Sequence, residues 1–190
     1  MKPLASATVR PMVRIGMLGA LSFLLMYLLE IPIPPFPAFL RYDPGDVPAM
    51  FAAFTMGPGA GATVVTVKAL LYSVVNKGGG GVIGLLANLL GGLALTLVIG
   101  YAARHGCHRF VAITGGVLAF AAVMAVGNQW LFLPAWGVPV AQRWGMVVAA
   151  ITPFNLLKGT LDGLITGWLL SRLPDERIVR EPSGQRLPIE

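Results

Sequence analysis

Charge is scarce in this chain. Lys, Arg, Asp and Glu make up 12% of its 190 residues, against about 25% in an ordinary soluble domain. That shortage excludes a conventional water-solvated surface. A single cysteine, Cys107, excludes an internal disulfide. With two histidines and eight acidic residues, there is little material for metal or acid–base chemistry. The best cluster is His105, Cys107 and His108, in a short cationic stretch without a carboxylate, and it reads as a topology anchor. No Ser/His/Asp set or paired carboxylates fall at membrane depth. There is no GxxxxGK[ST] loop, so the chain carries no ATPase equipment of its own. The glycine-rich NKGGGGVIG lacks both the following Lys-Ser/Thr and a preceding soluble strand, and reads as a connector.

What the chain has instead is apolar length. Hydrophobic residues reach 56% and mean hydropathy is +0.75. Hydrophobic runs fall at about 13–29, 46–57, 59–76, 82–103, 109–133 and 147–171. Five approach or exceed the roughly 18 residues that cross a bilayer; the second is too short by that rule. Charge placement argues that it crosses anyway. With six spans and an inside N-terminus, nine basic residues lie inside (Lys2, Arg10, Arg14, Arg104, Arg109, Arg172, Arg177, Arg180, Arg186) and three outside (Arg41, Lys77, Arg143). With five spans the later loops invert and the asymmetry is lost, so the positive-inside rule selects six. The expected fold is an all-α membrane protein, a six-transmembrane-helix bundle over 1–172 with both termini cytoplasmic. Residues 173–190 read as a polar cytoplasmic tail, expected to be disordered. The net charge of +6 sits at segment ends, so it points to membrane topology and not to nucleic acid; lipid is the surrounding partner.

Polar side chains inside the runs are the candidate functional groups, because an ionisable residue at the bilayer centre costs about 2.5–3.5 kcal/mol and belongs in the bundle interior. Lys68 lies mid-run in GATVVTVKALLYSVV. In PFNLLKGTLD, Asn155, Lys158 and Asp162 follow at helical spacing and form one polar stripe. Asp162 reads mainly as a structural ion-pair partner of Lys158. Asn128 and Gln129 sit beside Trp130 near the end of the fifth run, and Asn88 lies in the fourth. An amide offers two donors and an acceptor, a match for the carbonyl and N–H edge of a heterocycle. Trp130, Phe154 and Tyr42 are candidate apolar walls. The loop EIPIPPFPAFLRYDPGDVP (30–48) has six prolines, which exclude a regular helix. It carries Leu40, Tyr42 and Asp43 and could fold over a site open to the outside.

Three motifs carry a resemblance: LRYDPGDVP after the first run, GPGAG after the second and PFNLLKG in the last. Together they resemble the substrate-binding S component of energy-coupling factor (ECF) vitamin transporters, in the riboflavin-specific branch, over about residues 12–172. Gly45 stands where that family often has serine. The resemblance implies a six-helix bundle in the prokaryotic cytoplasmic membrane that binds riboflavin, with FMN as a further possible ligand, in its outer half under the first loop. It implies binding roles for Asn128, Asn155 and Lys158. Tyr42, Asp43, Leu40, Lys68, Asn88 and Phe154 are the further candidate binding residues read from the sequence itself. The resemblance also implies a transmembrane T component and two cytoplasmic ATPase subunits as partners, met through a small-residue face on the first helix, here Gly16 and Ala20. No cofactor is expected; the flavin is the transported ligand. The competing readings are an S component for another vitamin and, from a different class, a membrane-embedded enzyme.

Overall fold

The structure, a computed structural model, describes residues 4–75 and 81–173. Residues 76–80 of the glycine-rich connector and the tail from 174 onward, expected above to be disordered, lie outside the described residues. Helix α1 (Leu4–Leu28) leads into a two-stranded ribbon, β1 (Ile31–Pro32) against β2 (Arg41–Tyr42). Helices α2 (Val47–Met56), α3 (Pro58–Val75) and α4 (Gly81–Arg104) follow. Helix α5 (Arg109–Gly127) continues through a π-helical turn, Asn128–Phe132, into α6 (Leu133–Ala135). The last helix is built from α7 (Val140–Met146), a second π turn, Val147–Ile151, and α8 (Thr152–Ser171).

The chain is an all-helical membrane protein. Four of its helical stretches are long and apolar enough to cross a bilayer: Val9–Leu28, Pro58–Val75, Gly81–Arg104 and Arg109–Ala135. The second and sixth runs miss that standard for different reasons. Helix α2 has ten residues, about 15 Å of rise, roughly half the hydrocarbon thickness. The last helix is long enough from Val140 to Ser171, but Asn155, Lys158 and Asp162 break its apolar run.

Helix α2, bounded by the DPGD corner and by Gly57-Pro58, lies in the interior. Ala49, Met50, Ala52 and Ala53 are wholly buried, and its small residues let neighbouring backbones approach, the device that lipid-embedded helices use in place of a hydrophobic driving force. Met50 and Phe54 pack with Leu95 and Ile99 of α4, Phe120 of α5 and Leu170 of α8. The opposite side, Ala49 and Ala52, meets Val64 and Val65 of α3, with Ile15 and Leu18 of α1 beside them. GPGAG is the stop and start between α2 and α3. Gly57 caps α2 at φ +99°, a left-handed conformation that suits glycine, and Pro58 opens α3, where a missing N–H costs nothing.

Helix α1 is held on one side only. Of its apolar window 17% is buried, against 33–39% in the other spanning helices. Its inward face carries Gly19, where a Cβ would stand 2.6 Å from Val67 of α3, together with Ser22 and Met26. Gly16 and Ala20 fall on the other side, exposed, and a Cβ on Gly16 would meet nothing within 4 Å.

Candidate functional site

The proline-rich loop folds back over the bundle as a lid. The β1–β2 ribbon closes its base, with Ile31 opposite Tyr42 and Pro32 opposite Arg41. Phe36 at the turn meets Phe154 of α8 edge to face, ring centres 5.3 Å apart. Leu40 packs on a small core of Leu133, Val147 and Ile151. The lid is also tied to α1, since Ser22 Oγ donates a hydrogen bond to the Gly45 carbonyl. A Cβ on Gly45 would stand 2.9 Å from both the Ser22 carbonyl oxygen and Met26 Cβ, which gives a steric reason for glycine here. Asp43 Oδ1 accepts from the Gly45 N–H at 3.0 Å, a side-chain turn that fixes the DPGD corner.

Under that corner lies a charge cluster from four parts of the chain. Lys68 of α3 is fully buried and its Nζ lies 2.5 Å from Asp46 Oδ1, at the start of α2. Lys158 of α8 donates to the Asp43 carbonyl at 2.5 Å and to Asp43 Oδ2 at 3.0 Å. Asp46 Oδ2 and Asp162 Oδ2 stand 3.3 and 3.5 Å from the same ammonium. The Lys158–Asp162 pair expected from spacing is therefore present but is the longer contact; the lid carboxylate is nearer. Tyr42 closes the group, its hydroxyl donating to Asp162 Oδ1 at 3.1 Å and its ring centre 5.6 Å from Lys158 Nζ. Burial, then the adjacent Asp162 carboxylate, pushes the Tyr42 phenol well above its ordinary value, so the hydroxyl stays a donor.

The two asparagines stand at or just beyond the two π turns, Asn155 on the same helix as Lys158. Asn128 opens the first turn and Asn155 follows the second by one helical turn, and both are buried. Each donates one N–H to the carbonyl four residues back, Met124 and Ile151 respectively, at 2.8 Å. An amide used in that way still has a second donor and its acceptor oxygen. A π turn inserts one extra residue and rotates the side chains beyond it, which is why such turns recur at functional sites. Next to Asn128, the Gln129 Oε1 is buried with no hydrogen-bond partner among the described residues.

Other expectations fare differently. Trp130 is 75% exposed, so it faces outward and is not a wall of this site; its place near the helix end suits an interfacial anchor. Asn88 is half-buried on α4, and among the described residues no hydrogen bond or ion pair joins it to the cluster. Asp46, Phe36 and Ser22 were not singled out as site residues. The DPGDVP motif contained Asp46, but nothing in the sequence signalled the π turns or the Ser22 contact. Two open grooves lie away from the cluster, one of about 710 Å³ by Arg14, Phe51 and Leu173 and one of about 510 Å³ between α5 and α8. The buried polar groups, and neither of these grooves, mark the site.

Comparison with known proteins places this geometry in a family. The family model described as the substrate-specific component of ECF transporters matches residues 10–170. The riboflavin transporter RibU of Staphylococcus aureus (strain TCH60) is 32% identical over 171 residues, 85% of this chain and 89% of that protein. The riboflavin transporter FmnP of Bacillus subtilis (strain 168) is 30% identical over 176 residues, 87% of this chain and 92% of the relative. A solved structure of the S component of a bacterial ECF transporter superposes with a TM-score of 0.74 at 29% identity, covering 87% of this chain and 95% of its own. This multi-pass cell-membrane protein, with its lidded polar cluster inside an apolar bundle, belongs to the substrate-specific components of ECF transporters, a family of transporter subunits and not of enzymes.

Proposed function

We propose that this chain is the riboflavin-binding subunit of an ECF importer, taking the flavin from outside and passing it inward with a T component and two ATPase subunits. The observation that carries the reading is the buried Asn155 one turn before Lys158, whose ammonium meets the lid residue Asp43, with a second buried amide at Asn128. Their free donor and acceptor positions suit the carbonyl and N–H edge of a flavin ring. Phe36, Leu40 and Phe154 supply apolar surface for the rest of the ring system, in keeping with a site of apolar walls and few polar groups. The names of the bacterial relatives support the same ligand.

In this reading Lys158 links ligand to lid. An ammonium has three donors and no acceptor; here Lys158 gives hydrogen bonds to the Asp43 carbonyl and Oδ2, with the Asp46 and Asp162 carboxylates 3.3 and 3.5 Å away. A flavin oxygen that takes one of these donors would do so at the expense of a lid contact or alongside it, so binding and lid position are coupled. Lys68, expected among the binding residues, has an indirect role in this reading: fully buried against Asp46, it holds a carboxylate that faces Lys158. Six crossings with both termini cytoplasmic fit the basic-residue asymmetry and the interior position of α2. The exposed Gly16–Ala20 face of α1 is the proposed contact with the T component.

The test is flavin binding by the solitary, purified chain. Riboflavin fluorescence should be quenched on titration with a saturable one-to-one end point, FMN serving as competitor. A protein that neither retains flavin nor quenches its fluorescence would overturn the reading.

A further inference from the structure

The groove between α5 and α8 is apolar along its length and basic at one end. Along α8 it runs from Leu156 to Ser171, about 22 Å at 1.5 Å per residue, more than the ~15 Å of hydrocarbon in one leaflet. Gly163 and Gly167 make its floor, and exposed Phe110, Leu118 and Trp168 its rims. Its volume is about 510 Å³. Arg109 lines the end where α5 begins and α8 finishes, with its guanidinium 5.5 Å from the Phe110 ring centre. Arg172, one residue beyond α8, lies 5.3 Å from the ring centre of Trp168. Both arginines are thus held over aromatics that line the groove, and among the described residues neither has a carboxylate partner. Basic residues that cap an apolar cleft between helices are the arrangement that recognises anionic lipid headgroups.

We propose that this groove is a binding site for one phospholipid whose headgroup carries net negative charge, with the acyl chain along Gly163 and Gly167 and the headgroup at the end where Arg109 and Arg172 stand over Phe110 and Trp168. The site is separate from the lidded cluster and does not depend on which vitamin is carried. Simple topology anchoring would place arginines at a membrane surface; it would not require Arg109 to line the cleft and Arg172 to stand over Trp168, another of its lining residues.

The full-length protein, purified in detergent, is equilibrated with dioleoyl phosphatidylglycerol or with dioleoyl phosphatidylcholine, and retained lipid is counted by native mass spectrometry. One phosphatidylglycerol should be kept in preference to phosphatidylcholine. Replacing Arg109→Gln and Arg172→Gln together should reduce that preference by about 25-fold, roughly fivefold per arginine near a headgroup. Gly167→Leu should expel both lipids, because the nearest atom to a Cβ there is Ile113 Cδ1 at 3.7 Å, so the new side chain enters the groove without a backbone clash. Ligand titration at the outer site should be unchanged in these variants, which shows that they are folded. Equal retention of the two lipids by the unaltered protein would overturn the proposal. So would a preference that survives both sets of substitutions, or one that disappears when only residues 174–190 are removed.

Discussion

Lys158 has three hydrogens to give and four oxygens within 3.5 Å, two of them on Asp43. With Lys68, Asp43, Asp46 and Asp162 it makes a buried cluster of two ammonium groups and three carboxylates. Removing one member of such a group exposes the rest to an uncompensated buried charge, which typically costs about 3–5 kcal/mol. Lys68→Met should therefore lower the melting temperature strongly, and Lys68→Met with Asp46→Asn should recover part of the loss. A single variant as stable as the double would show that the 2.5 Å pair contributes no such coupling. The asparagines answer to a different measurement. Asn128→Ala and Asn155→Ala should each weaken flavin binding about tenfold or more, the usual effect of about 1–3 kcal/mol for a buried polar partner left unmatched. Asn88→Ala, outside the cluster, should change affinity far less; fluorescence titration of the three variants separates these outcomes.

At the scale of elements, the lid is a rigid piece hung from several attachments. The ribbon closes it on itself, and the Phe36–Phe154 contact, the Leu40 core and the Ser22–Gly45 hydrogen bond fix it to α8, to α6 with the second π turn, and to α1. An edge-to-face aromatic pair contributes about 0.5–1.5 kcal/mol beyond its buried area. Phe36→Ala should accordingly speed flavin release by about two- to tenfold while slowing capture little, because a lid hinders escape more than it assists encounter. Stopped-flow dissociation measures this. An unchanged off-rate would reduce the loop to a connector between α1 and α2.

At the scale of the whole molecule, α1 is the helix with most surface to give away. Its inner side is occupied by Gly19 against Val67, while Gly16 and Ala20 look outward with nothing upon them. Had Gly16 packed inside the bundle, a bulky replacement would have destroyed the fold; in the present arrangement it has room. Gly16→Trp and Ala20→Trp should leave melting temperature and flavin affinity of the solitary chain near their original values. In cells that supply the T component and ATPases, the same changes should abolish ATP-dependent uptake and co-purification of the assembly. Full uptake by both variants would place the docking surface on another face.

The membrane class and the polar stripe were legible without coordinates, because both are local properties. Hydropathy over a run of residues reports the solvent that run requires, and spacing of three and four puts Asn155, Lys158 and Asp162 on one side of any helix. The family resemblance was legible too, since its motifs are contiguous. The partners of those residues were not. Asp43 and Lys158 are 115 positions apart and Tyr42 and Asp162 are 120 apart, and nothing in either segment specifies the other. Whether Lys158 faces Asp162, Asp46 or Asp43 depends on how the lid docks and on how far two π turns rotate the helices that carry the asparagines. Likewise the spacing of Gly16 and Gly19 could not say which faces inward. Packing decided it: Val67 of α3 occupies the one place and leaves the other open, because close-packed helices can bury only one side of a helix at the edge of a bundle.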